Sequence, residues 1–276
     1  MTVRRKRTWL AAMALAGAAW FGGRTLFDGS SEALPVGDLD AAPVGRSLLL
    51  ARARLASDLG PIDAFVAEQR RLTEREPGVA EHWRVLGEAL LERCLLRDHG
   101  QGMAVGETVH SEALPEANAR DIEAGLAAVD RAIELGDPSG DVHRIRAALV
   151  SVSAVGWLDV VQKRATVQAS LAKARELEPG NPRLLMALAC ERLFTPRLFG
   201  GDPAAAREAF LAVAGALEHD ERPYLYAAMA SHLLGETAAA LAHLERAQAR
   251  NPHSDYVREV LRRIRAGEDD PFGRDL

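Results

Sequence analysis

Eight histidines and two cysteines are the residues of this chain best suited to hold a metal or act as nucleophiles, so their spacing decides how much chemistry it can carry. His82, His99, His110, His143, His219, His232, His243 and His253 are scattered. None forms an HExxH motif, which would set two imidazoles on one helix face beside a glutamate base. No serine or cysteine stands in a nucleophile elbow. His99 and His110, with Glu107 or Glu112, come nearest to a metal set, but they lie in a glycine-rich connection without an i,i+4 pair to preorganise ligands. Cys94 and Cys190 lack CxxC spacing and sit in separate apolar stretches, so they read as buried free thiols rather than a disulfide. The run Leu198-Phe199-Gly200-Gly201-Asp202-Pro203 has the look of a phosphate loop. No GK[ST] follows it, and Asp202 puts a negative oxygen where an anion would bind. It reads instead as a turn, with Asp202 as helix N-cap and Pro203 at the first helical position. We therefore expect no catalytic residue, no metal and no cofactor, and a non-enzymatic protein.

The elements that position these residues are helices. The chain has 276 residues, 48% hydrophobic and only 5% aromatic, which suits alanine- and leucine-rich helices packed closely together. Ala174-Arg-Glu-Leu-Glu-Pro179 and Ala247-Gln-Ala-Arg-Asn-Pro252 repeat one helix ending, and their prolines lie 73 positions apart, about two periods of roughly 34 residues. Six residues after Pro77, Trp83 opens Trp83-x2-Leu86-Gly87; the same count from Pro179 reaches Leu185, with Leu188-Ala189 following. Counting forward from Glu218 and back from Pro252 both reach Tyr224.

On these motifs the chain resembles the tetratricopeptide-repeat family over roughly residues 45–266. It departs from the pattern at Arg144 and Leu185, in the tryptophan position, and at Ala147-Ala148 and Ala227-Ala228, in the Leu-Gly position. The resemblance implies an all-α fold: a right-handed superhelical array of about five helical hairpins closed by a capping helix. The expected hairpins are 46–58 with a run to Glu76, 79–97 with 118–135, 141–156 with 158–178, 182–194 with 203–217, and 222–234 with 236–250. Gly156-Trp157 is expected to form the corner of the third. Ser254 to Arg265 is the expected cap, and the acidic tail 267–276 is expected to fray.

The resemblance also implies that the first helix of each hairpin lines a concave groove. Carried over position by position, the groove residues are Arg84, Glu88 and Glu92 in the second hairpin, Ile145 and Leu149 in the third, Arg183, Met186, Cys190 and Phe194 in the fourth, and Arg222, Leu225, Met229 and His232 in the fifth. Methionines and aliphatic side chains in such a groove suit a helix or extended apolar peptide of a protein partner. The alternative is that tight superhelical closure, the 98–117 connection or a second copy of the chain covers these residues as ordinary core, and a second copy is a further candidate partner. The rival expectation is a solute- or lipid-binding accessory of a transporter, because Leu198 to Pro203 is also similar to a run in repeat proteins of TRAP-type transporters.

Charge and the N-terminus bound the compartment. A net charge of −5, with basic clusters interleaved with acidic residues, argues against nucleic acid. Arg4-Arg5-Lys6-Arg7 precedes an uncharged run from Trp9 to Gly23 and then a linker through residue 45. Residues 1–27 read as an uncleaved signal anchor, with Ala16-Gly17-Ala18 marking the alternative of a cleaved signal peptide; Trp9 to Phe27 gives roughly 28 Å of helix at about 1.5 Å per residue. The basic head stays on the cytoplasmic side and directs the downstream chain outward, so the repeat domain is expected to be membrane-anchored and periplasmic, or secreted to the periplasm if the leader is removed.

Overall fold

A computed structural model of the chain describes residues 50–273 apart from 52, 56, 57 and 101–113. The leader, the linker, the core of the 98–117 connection and residues 274–276 thus lie outside the described residues. Among the described residues the fold is all-helical. Helical residues around 50–54 precede ten α-helices: α1 Gly60–Arg75, α2 Ala80–Gly100, α3 Glu116–Glu134, α4 Gly140–Val152, α5 Gly156–Leu177, α6 Pro182–Phe194, α7 Pro203–Val213, α8 Arg222–Leu233, α9 Thr237–Arg250 and α10 Asp255–Arg265. None of them is long and apolar enough to cross a membrane.

Local signals account for most boundaries. Ser139, Asn181, Asp202 and Ser254 cap α4, α6, α7 and α10 by accepting backbone N–H bonds with their side chains, as these residue types do at helix starts. Proline opens the first turn of α1, α6, α7 and α8, where its missing N–H costs nothing. The third corner differs from expectation. It consists of Ser153 to Val155, and Gly156-Trp157 already belongs to α5. Ser153 takes the αR conformation as C-cap of α4, and the Asp159 carboxylate accepts the Val155 N–H at 2.9 Å, so α5 begins two residues sooner than expected.

Each helix packs on the next along the chain, and the alternate helices α2, α4, α6 and α8 also touch in succession as an inner row. Small residues permit this. A Cβ on Gly87 would stand 2.5 Å from Val129 Cγ1, so glycine is required where α2 meets α3. Ala227, Ala228 and Ala230 of α8 and Ala240 and Ala247 of α9 are fully buried for the same reason. Larger apolar side chains fill the spaces between hairpins: Leu91, Ile122, Val129, Ile145 and Leu149 form one cluster, and Ile62, Val66, Leu86 and Leu90 another. Each such side chain contributes about 1.5–3 kcal/mol by burial. Finally α10 comes back to touch α2, so the two ends of the hairpin series meet.

The tail corrects an expectation. Instead of fraying, its described part folds back: Phe272 is buried beside the His232 ring at 5.6 Å, and its carbonyl accepts the Tyr256 hydroxyl at 3.1 Å. The single aromatic residue in an otherwise polar tail has an apolar slot to fill, and this outweighs the entropy of ordering the chain.

Candidate functional site

Glu88 and Glu92 stand one helical turn apart on α2, and the inner row closes around them. Glu88 Oε1 accepts from Arg144 Nη2 on α4 at 2.7 Å and from Arg183 Nη1 on α6 at 2.5 Å. Glu92 accepts from Arg222 on α8 at 3.1 and 2.9 Å. Arg222 also binds Asp220, its neighbour two residues back, at 2.6 Å. From before α1, Arg54 donates to Glu221 at 2.6 Å, to Asp220 at 3.2 Å and to the His219 carbonyl at 3.1 Å. Asp141 accepts from Arg144 at 2.6 Å and from Asn181 at 3.0 Å. Charges from five elements thus meet in the interior.

The electrostatics follow from burial working against close opposite charge. Burial alone would raise the Asp141 carboxyl, but Arg144 and Arg183 beside it prevail and hold it down to about 2. Asp220 and Glu221 are also buried, and Arg222 and Arg54 hold both below the usual carboxylate range. Asp141, Asp220 and Glu221 therefore stay ionised beside their arginine partners. Buried pairs of this kind add little net stability over apolar residues, yet each constrains which helices can be neighbours. A cluster of salt-linked residues with every member engaged offers no free nucleophile or acid to a substrate.

The nominated groove residues accordingly do not line an open groove. Ile145 and Leu149 lie in the core cluster with Leu91 and Val129. Leu225 and Met229 are buried, and Met186 nearly so. Arg84 is paired with Asp137 at 3.1 Å. Glu88, Arg183 and Arg222 are spent on the internal network. Cys190 is half-buried, and Phe194 packs edge-on against the Tyr226 ring at 5.9 Å. His232 Nε2 meets the Asp269 carbonyl at 3.2 Å under the returning tail. The structure does bring these residues together, but as an interior. The physical reason is tight closure: the first helices approach until their inward side chains pack, and the carboxylates of α2 draw arginines across the gap.

The network also includes residues that the register did not nominate, namely Arg54, Asp141, Arg144, Asp220 and Glu221. A signal existed in the sequence. Asp141-x2-Arg144 and Asp220-x-Arg222 both place an acid and a base at the start of an inner helix, where four free N–H groups and the helix dipole favour the acid.

Cys94 accords with the expected buried thiol: its Sγ lies 3.8 Å from the Asn118 carbonyl, and burial together with nearby Asp121 pushes it up to about 12. Among the described residues, no group of three or more His, Cys, Asp or Glu side chains is placed to hold a metal. His99 and His110 cannot be compared with expectation: the side chain of the first and the whole of the second lie outside the described residues. The Leu198 to Pro203 run is the turn its residues suggested, with Asp202 accepting the Ala205 N–H at 3.0 Å and Gly200 at φ 94°. A Cβ on Gly201 would fall 1.7 Å from the Thr195 carbonyl oxygen.

Open apolar surface is concentrated elsewhere. No described side chain from Leu158 to Ala169 is buried, and burial along α5 begins only at Ser170. Leu158 is 77% exposed and Val161 46%; Leu198, in the short 3-10 turn Arg197–Phe199 after α6, is 80% exposed. The α5 start and the α6 end both lie away from the turn that joins these helices, and Gln168 donating to Glu191 at 3.2 Å ties their flanks together. In the same stretches of chain stand Lys163, Arg164, Arg192 and Arg197 with Asp159 and Glu191, and Lys163 donates to Asp159 at 2.7 Å. No family model matches the chain, and no curated protein matches it.

Proposed function

We propose that this chain is a non-enzymatic, tetratricopeptide-like adaptor, tethered to a membrane by its N-terminal segment with the helical body on the periplasmic side, that holds a protein partner at the outer end of its third and fourth hairpins. The succession of hairpins, the inner row of alternate helices and the glycine at the α2–α3 contact support a right-handed superhelical repeat arrangement. The observation that carries the function is the unburied first half of α5, together with the exposed Leu198 beyond the end of α6. A helix gains most of its stability from packing an apolar face, and here two leucines and a valine face water instead. The same stretches of chain carry Lys163, Arg164, Arg192 and Arg197 beside Asp159 and Glu191. The partner that fits is an apolar protein segment flanked by carboxylates. The transporter-accessory reading has less support, because Met186, Leu225 and Met229, which would line its chamber, are packed core.

The test is site-specific photo-cross-linking in intact cells, with the probe at position 158, at position 198, and at exposed position 71 on α1 as control. One protein cross-linked from 158 and 198 and not from 71, and lost in a folded Leu158→Glu, Leu198→Glu variant, is the expected result. Identical cross-linking from all three positions, or none, would overturn the assignment.

A further inference from the structure

A cleft of about 300 Å³ opens between Arg70 of α1, Arg93 and Arg97 of α2, and Ala117, Arg120 and Asp121 of α3, none of which belongs to the internal network or to the α5 end. Four guanidinium groups face one carboxylate in its wall. The lining itself is thus rich in guanidinium groups, with Asp63 and Glu116 adjoining it.

The carboxylate acts as a brace. Asp121 accepts from Arg93 Nε at 2.7 Å and Nη2 at 2.6 Å, and from Arg97 Nη1 at 2.7 Å. Arg93 Nη1 reaches Asp63 at 2.9 Å, and Arg97 Nη1 also points to the Asn118 side-chain oxygen at 3.1 Å and the Ala117 carbonyl at 3.4 Å. These bonds fix two guanidinium planes without using all five donors of either group. Among the described residues, Arg97 Nε and Nη2 meet no acceptor. Arg120 makes only a loose pair with Glu116 at 3.7 Å, and Arg70 makes no ion pair among the described residues. The cleft also adjoins the start of α3, whose cap residue Pro115 supplies no side-chain acceptor, so the first-turn amides add to the positive potential.

We infer that this cleft is a binding site for a phosphate-type oxyanion, held by Arg70, Arg97 and Arg120 on the rigid base that Asp121 and Arg93 provide. Planar guanidinium forks match the oxygens of a phosphate group bidentately, and braced arginines lose less freedom on binding than free ones. The volume takes a phosphate group together with part of the molecule that carries it. The group comes either from a small free phosphate compound or from an anionic lipid headgroup, and both present the same oxygens. The site is independent of the proposed partner surface.

Calorimetric titration of the full chain in detergent, at matched ionic strength, tests this with inorganic phosphate and with short-chain dihexanoyl phosphatidylglycerol as probes. Arg70 and Arg120 are tested together as Arg70→Gln, Arg120→Gln, since both are at the surface and neither braces the fold. A control pair on α10, Arg258→Gln with Arg262→Gln, removes the same charge elsewhere. Saturable binding of at least one probe, weakened about tenfold or more in the cleft pair and unchanged in the control pair, is the expected result. Binding of phosphate itself identifies a free phosphate source, and binding of the lipid analogue alone identifies a headgroup. Absence of saturable binding by either probe, or equal weakening in both pairs, would overturn the site.

Discussion

Glu88 shows how a single residue type takes its meaning from its neighbours. On the sequence it is an acidic position of an inner helix, suited to a polar groove; in the fold it is the shared acceptor of Arg144 and Arg183. Glu88→Ala leaves the buried Arg144 guanidinium with Asp141 as its remaining carboxylate, and losing one partner of a buried pair costs about 3–5 kcal/mol. Chemical denaturation of the variant should show that loss. Arg183→Ala should cost less, because that side chain is partly exposed and Glu88 keeps Arg144. Equal, small effects of both would mean that the network does not hold the interior. Protonation probes the same residues. Asp141 is depressed from the usual 3.8 to about 2, so its contribution is complete above the unfolded value and disappears as pH falls toward 2. Asp220 and Glu221 are lowered and act with the same sign. His143 and His243, lowered from 6.5 chiefly by burial, resist protonation in the fold and add a shallow loss below pH 6.5. Thermal midpoints followed across pH should therefore fall gently below 6.5 and steeply below about 4.

At the scale of elements, caps and glycines are legible in the sequence and helix ends less so. Asn181, Asp202 and Ser254 announce the starts of α6, α7 and α10 because a short polar side chain at that position is the nearest group able to satisfy a free N–H of the first turn. The third corner escapes a reading by residue type because Gly156 carries a turn signal, although the chain turns three residues sooner, at Ser153. Gly87 stands out within its motif, and the fold shows why it must be glycine. Gly87→Val should drive its side chain into Val129 and the Gly125 carbonyl, separating α2 from α3 and lowering stability by at least about 2 kcal/mol. A melting temperature unchanged from the natural chain would show that α2 and α3 are not so closely apposed. The first half of α5 is the contrary case: its apolar residues have the right period for a helix, but nothing in that period says whether a neighbour covers them.

Among the described residues each helix packs on the next, and the two ends of the series meet. Arg54 at the start reaches Asp220 and Glu221 near the end, α10 returns to α2, and Phe272 fills a slot beside His232. Phe272→Ala should remove a fully buried ring and cost about 3 kcal/mol or more, measurable as a lowered denaturation midpoint, with faster amide exchange in α8 and α10. A freely fraying tail would give no change. The helical class, the spans of α2, α3, α8 and α9 to within a few residues, the capped turn at residues 195–203 and the buried Cys94 were determined by sequence alone, since each depends on residues close together in the chain or on a repeating period. Whether the inner face would stand open or close on itself was decided only by the tertiary structure. Closure depends on how far each hairpin rotates from the last and on charges as distant as Arg54 and Glu221 finding each other, and neither quantity is written in any local stretch of residues.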